Sequence, residues 1–188
     1  MDRAQLSQAL RATLSGEQGA GSKETNLVLA EPRTGPTLIT EADPRKFMSA
    51  FASAVAGEGM VFLCDPKWGA NERGQLNVLV STPSSELPAP GSSQRGWLAI
   101  PTGGTSGQLK FARHDEETLE AAVRGFARHF GLTQVNAIGV LPLHHVSGLM
   151  AWLRCALTGG EYRPLDWKEV EGGQRPVLPP RPGGWVIS

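Results

Sequence analysis

The sequence predicts an α/β fold in which a largely parallel sheet is flanked by helices. Short apolar runs at residues 60–64 (MVFLC), 97–100 (WLAI) and 135–143 (VNAIGVLPL) read as buried strands. Between them lie segments whose apolar residues recur at helical spacing. The 23 glycines and 14 prolines cluster into punctuating loops, so the strands and helices alternate as separate units.

In chain order, Leu6, Leu10 and Leu14 give the stripe of a first amphipathic helix. A Gly/Ser-rich loop follows at 15–24. Pro44 suits the first position of a second helix, whose buried face is Phe47, Phe51 and Val55 and whose end is near Gly57. The strand at 60–64 stops at Asp65-Pro66, and 76–81 (LNVLVS) reads as another strand. Residues 82–96 form a long linker-like loop before the strand at 97–100. Asp115 can cap a helix, with Glu116 and Glu117 at its positive end and Arg124, Arg128 and His129 toward its negative end. Its stripe is Leu119, Ala122, Val123, Phe126 and Phe130, and Gly131 stops it. The strand at 135–143 is limited by Pro142, and 148–157 reads as a helix apolar on every side. A second linker-like loop at 171–184 precedes Trp185, Val186 and Ile187, which read as the start of a strand that continues beyond Ser188.

Composition excludes several classes. The 188 residues are 40% hydrophobic and 19% charged, which suits a chain with a core and not a disordered one. Eighteen basic residues balance 18 acidic ones, so no electrostatic case exists for a nucleic-acid or membrane-surface partner. No apolar run approaches a membrane span, and the charged N-terminal stretch does not read as a secretory signal, so a cytoplasmic protein is expected. Cys64 and Cys155 lie far apart in apolar surroundings, without zinc-ligand spacing, and read as buried free thiols. No metal ligand set is assigned.

The chemistry concentrates at 100–110 (IPTGGTSGQLK): three glycines, the hydroxyls of Thr102, Thr105 and Ser106, and Lys110, directly after a strand. Glycines let backbone N–H groups close around an anion, hydroxyls donate to phosphate oxygens, and lysine adds a positive charge. An exposed hairpin turn would have the same composition. A Walker A loop needs Gly-Lys-Ser/Thr, whereas Lys110 follows Leu109 and precedes Phe111. Gly103, Gly104 and Gly107 do not fit the dinucleotide fingerprint, and the strand-like KFARH after the loop makes it a connection between two strands.

The order of residues in this loop resembles the phosphate loop of the adenylate-forming (AMP-forming acyl-CoA synthetase) superfamily, [ST]-[ST]-G-[ST]-[ST]-G-x-P-K. Thr102, Gly104, Thr105, Ser106, Gly107 and Lys110 match. Gly103 stands where the pattern has a hydroxyl, and Leu109 where it has proline. TGGTSGQLK is similar to the variant of some o-succinylbenzoate–CoA ligases within that superfamily. A second segment, LPLHHVSGL at 141–149, resembles the family's P-[LM]-x-H-x-[SG]-G at the end of a buried strand, with His145 and Gly148 matching and His144 at the variable position. The resemblance is firm over 97–165 and carries no diagnostic motif over the first 96 residues.

What the resemblance implies is a partial AMP-binding domain over 1–188, in a ligase that activates a carboxylate with ATP and passes the acyl group to coenzyme A. Thr102, Gly103, Gly104, Thr105, Ser106, Gly107 and Lys110 would hold the β- and γ-phosphates, with Mg2+ sharing their charge. His144, His145, Ser147 and Gly148 would shape the acyl–adenylate pocket, and Lys110 and His145 would be the catalytic pair. The family's Tyr-Gly-x-[ST]-Glu segment, its ribose-binding Gly-Asp region and its mobile C-terminal domain have no counterpart after residue 148. The chain is therefore expected to be the N-terminal part of a ligase, without turnover alone. A non-catalytic nucleotide-binding module, or a degenerate pseudo-enzyme, is the alternative. Two other readings fail on spacing: for HHVSGL, the HHxxxD acyltransferase signature needs Asp where Leu149 stands, and for a Ser–His hydrolase, no G-x-S-x-G surrounds Ser106 or Ser147.

Overall fold

A computed structural model describes residues 1–15, 35–81, 96–103, 107–165, 178–181 and 183–187. The elements in chain order are α1 (Arg3–Ser15), β1 (Thr37–Ile39), α2 (Pro44–Val55), β2 (Val61–Leu63), α3 (Ala70–Ser81), β3 (Leu98–Thr102), β4 (Lys110–His114), α4 (Glu116–His129), β5 (Ala137–Gly139), α5 (Val146–Thr158), β6 (Tyr162–Pro164) and β7 (Val186–Ile187). The predicted α/β class is the observed one. Its strands, however, divide between two sheets, ordered β1-β2-β3-β4 and β6-β5-β7. All pairings are parallel except β3 with β4, which form an antiparallel hairpin.

Pro44, Asp115 and Gly131 act at the helix ends as expected, and Asp43 and Thr118 join them. The Asp43 carboxylate accepts from the Lys46 N–H at 2.9 Å and Pro44 opens α2, which buries Phe47, Met48, Phe51, Ala52 and Val55. Asp115 and Thr118 form a reciprocal capping box at α4, with N–H···O distances of 2.8 and 3.0 Å. Gly131 takes φ +63° beyond its end, a backbone state that a Cβ disfavours. Two members of the α4 stripe leave the core: Ala122 is exposed, and Phe130 is 58% exposed, its ring tilted against that of Phe126 with centroids 4.6 Å apart.

Two expectations are corrected. Residues 76–81 are not a strand but the second half of α3. The signal that outweighs their β-branched residues lies just upstream: the Glu72 carboxylate accepts from the Gly69 N–H at 3.0 Å, and the Arg73 guanidinium donates to the Trp68 carbonyl at 2.9 Å. The strand expected over 135–143 narrows to Ala137–Gly139, and Leu141–His145 already belong to a turn. The three-residue strands β1 and β6 carry no signal of their own; each exists by pairing beside an apolar neighbour. The loop expected at 15–24 lies outside the described residues beyond Ser15, as do 82–95, 171–177 and 182 of the two linker-like loops.

The core lies among α1, α2, α5 and the inner faces of the sheets. Phe51 is its centre, with ring centroids 6.0 Å from Phe47, 6.4 Å from Trp97 and 5.7 Å from Trp152. The indole N–H of Trp152 donates to Thr13 and that of Trp97 to Glu116, so both buried polar atoms are satisfied. Arg3 lies over the Trp97 ring at 4.3 Å and donates to the carbonyls of Ala54, Val55 and Gly59, closing the end of α2 from another helix. The α5 helix is buried on nearly every side, as its sequence predicts. Cys64 and Cys155 are buried free thiols, and burial pushes them up to about 11 and about 12 respectively. Among the described residues no helix is long and apolar enough to cross a membrane.

Candidate functional site

The predicted site segments gather at the carboxyl ends of the parallel strands, where open α/β sheets place ligands. Asp65 follows β2, Thr102 ends β3 and the histidines follow β5. Lys110 begins β4, which runs antiparallel to β3 and so brings its start to the same edge.

The glycine-rich segment joins two strands, as its sequence implies. Thr102 and Lys110 are the last register pair of the β3–β4 ladder, and the Thr102 hydroxyl donates to the Lys110 carbonyl at 3.3 Å. Both side chains are exposed at the mouth of the connection. Among the described residues no atom lies within 4 Å of where a Gly103 Cβ would project, and Gly107 takes φ +67°. Gly104, Thr105 and Ser106, assigned to the phosphates from sequence, lie outside the described residues.

On the other side of the sheet edge, the turn after β5 places His144 and His145 at the start of α5. The His145 N–H donates to the Pro142 carbonyl, and its own carbonyl accepts from Leu149 as the N-cap of the helix. Gly148 has a definite steric reason. A Cβ there would collide with the Pro142 carbonyl and approach the Leu141 carbonyl at 2.7 Å. The first turn of α5 can lie on the strand end only because position 148 has no side chain. His144 is buried; His145 and Ser147 are exposed. The two imidazoles stand 4.5 Å apart, and His144 Nε2 is 3.6 Å from the Asp65 carboxylate.

Burial, assisted by His145 and Lys67, holds His144 below its usual range, against the opposing pull of Asp65. The neutral imidazole is thus the resting form near neutral pH. A cavity of about 420 Å³ adjoins this turn, lined by Asp43, Phe47, Leu141, Leu143, His144 and Tyr162 among others. Its lining combines apolar walls with a few polar and charged groups, among them Glu41 and Arg45.

Asp65 was not singled out from the sequence, where Asp65-Pro66 reads only as a strand terminator. Its place next to His144 depends on β2 and β5 ending at one edge of different sheets. The turn that it opens joins the two site segments. Asp65 accepts from the Lys67 N–H at 2.8 Å, and its carbonyl accepts from Trp68 at 3.0 Å. The Trp68 ring then meets Phe111 edge-on at 6.2 Å, and Phe111 meets Phe62 at 5.3 Å. Phe111 follows Lys110, so this aromatic cluster fixes the strand that presents the lysine. Among the described residues, no hydrogen bond or ion pair links Lys110 directly to either histidine.

Asp65, His144 and His145 are the one group among the described residues whose donor atoms could share an ion, all within 4.8 Å of one another. Two imidazoles and one carboxylate do not suit Mg2+, which takes oxygen ligands in octahedral geometry. The start of α5 and Lys67 add positive potential beside them. An Mg2+ requirement is therefore not met by protein ligands in this cluster.

No protein-family model matches the chain. It is 35% identical over 105 residues to the human mitochondrial malonate–CoA ligase ACSF3, covering 50% of this chain and 18% of that protein. It superposes on the o-succinylbenzoate–CoA synthetase MenE of Bacillus subtilis in complex with AMP at a TM-score of 0.61 and 16% identity, over 91% of this chain and 51% of that one. The adenylation domain of a keto acid-selecting NRPS module bound to keto acyl adenylate gives a TM-score of 0.59 at 16% identity, over 90% of this chain and 38% of that one. The chain thus spans about half the length of the synthetase and less of the other two. At these identities the superpositions speak for the fold, and the fold is that of the N-terminal portion of adenylate-forming enzymes.

Proposed function

We propose that these 188 residues are the N-terminal portion of an AMP-forming acid–CoA ligase, forming part of its AMP-binding domain. The observation that carries the reading is the Thr102–Lys110 register pair: it closes a glycine- and hydroxyl-rich connection at the ligand-binding edge of a sheet with the adenylate-forming fold. In this reading Thr102, Gly103, Gly104, Thr105, Ser106, Gly107 and Lys110 receive the β- and γ-phosphates of ATP. His144, His145, Ser147 and Gly148 border the acid and the adenylate, with His145 and Lys110 touching the reacting groups.

A substrate carboxylate oxygen attacks the α-phosphorus, the bond to the bridging oxygen breaks, and pyrophosphate leaves. The thiol of coenzyme A then attacks the acyl carbonyl, losing its proton, and AMP leaves with the carbonyl–oxygen electron pair. Adenylation asks the protein to align two anions and to offset charge on the leaving group, which lysine and backbone N–H groups can do. Mg2+ bound to ATP would supply further charge neutralisation. Neutral His144 can hydrogen-bond a carboxylic acid without adding charge, while its neighbour His145 reaches solvent.

For the acid we propose o-succinylbenzoate, on the TGGTSGQLK and HHVSGL variants. Malonate is the second reading, favoured by the 35% identity to a malonate–CoA ligase. A panel containing both acids, assayed for acyl-adenylate formation by the full-length enzyme, decides between them. The nucleotide reading is tested by titrating MgATP into this chain and its Lys110→Ala variant. A lost charge-assisted phosphate contact lowers affinity by roughly 10- to 100-fold. Equal binding by both proteins contradicts the role of Lys110. The isolated chain is expected to show no ATP–pyrophosphate exchange, and appreciable exchange would show that the missing segments are dispensable for adenylation.

A further inference from the structure

We propose that Gln75 on α3 is a positioning residue for the exit of the glycine-rich loop, an assignment that rests on the nucleotide reading above. Its side-chain amide spans the backbone between Gly107 and Leu109. Nε2 donates to the Gly107 carbonyl at 3.1 Å, and Oε1 accepts from the Leu109 N–H at 2.7 Å. A C=O and an N–H two residues apart are the pair that one residue of a neighbouring strand would engage, so the amide acts as a single rung beside the segment leading into β4. Nε2 also donates to Asn71 Oδ1 at 3.3 Å, one turn earlier on α3. That contact uses the second amide hydrogen and fixes which end of the amide faces Leu109.

The helix has little else to do in the core. Of its 12 residues, Leu76 is the one buried. Its start is nonetheless firmly tied, through Glu72 to Gly69 and Arg73 to Trp68, onto the turn that begins at Asp65. Gln75 therefore ties the loop exit to the same turn that contacts His144. Gly107 sits at φ +67°, where a peptide could rotate, and the rung holds it with Lys110 three residues later. A neutral amide is suited to this place, because a carboxylate would repel a bound triphosphate.

The test uses the chain with Gln75→Met, which keeps the length and loses both bonds, and Gln75→Glu, which keeps the acceptor for Leu109 and adds a charge. Hydrogen exchange at the Leu109 amide reads the rung itself. It should quicken at least roughly tenfold in Gln75→Met and remain slow in Gln75→Glu. MgATP titration reads the consequence, with affinity falling roughly 5- to 30-fold in Gln75→Met. In Gln75→Glu the loss should be larger at low salt and approach that of Gln75→Met as salt is raised, a signature of charge beside phosphate that a merely structural role would not give. Unchanged Leu109 exchange in Gln75→Met overturns the assignment. So does wild-type MgATP affinity in Gln75→Met when Lys110→Ala is weakened. Wild-type chain that fails to bind MgATP overturns the nucleotide reading itself, before any Gln75 variant is examined.

Discussion

After β5 the chain turns through Leu141–His145 with its backbone pressed against the helix it is about to form; after β3 it leads into β4, a strand that runs back. The first turn is set by close packing. Position 148 must lack a side chain, His144 is buried, and the His145 backbone is bonded on both sides. The second is set at its margins: by the Thr102–Lys110 pair at its base and by Gln75 at its exit. Gly103 within it meets no described atom where a Cβ would be. Glycine therefore serves opposite purposes in the two segments. In one it admits a neighbouring backbone, and in the other its Cβ position meets no described atom.

Alanine substitutions break that comparison most sharply. Gly148→Ala should destabilise the chain by about 2–4 kcal/mol in urea unfolding, because its Cβ meets backbone that cannot rotate away. In an open helix the same change would be worth about 1 kcal/mol of stabilisation, so the sign alone tests the close approach. Gly107→Ala should cost about 1 kcal/mol, from the left-handed backbone, since no described atom lies within 4 Å of its Cβ position. Gly103→Ala should lie within about 0.5 kcal/mol of wild type, while any effect on MgATP affinity would mark the space as used by ligand.

A smaller effect concerns pH. His144 binds a proton less readily in the folded chain than its ordinary value near 6.5, so the unfolded chain takes up more protons as pH falls through that range. Its contribution to stability is therefore complete above about 6.5 and diminishes below it. His144→Asn should flatten the decline between pH 7 and 5 without abolishing it, since burial holds His114 low as well. A decline of unchanged steepness in the variant would place the linkage elsewhere.

The two site segments were also unequally legible in the sequence. Pro44 and Asp115 announce their helices because such start signals act within four residues, and the loop between two strands is readable because neither glycine fingerprint fits it. LNVLVS misleads because its β-branched residues lie downstream of the bonds that start α3, from Glu72 to Gly69 and from Arg73 to Trp68. Asp65 and Gln75 were missed for one reason: each acts on a segment far along the chain, through a meeting of strand ends or helix and loop that no local pattern encodes. The separation into two sheets is invisible for the same cause, since three-residue strands reveal their partners only once the fold is formed.

The central claim is that the β3–β4 connection receives a triphosphate. A crystal of this chain grown with Mg2+ and a nonhydrolysable ATP analogue tests it most directly. The β- and γ-phosphates are expected between the Lys110 ammonium and the Thr102 hydroxyl, with the adenylate end directed toward His145. An analogue bound elsewhere, with Lys110 and Thr102 facing only solvent, would contradict it.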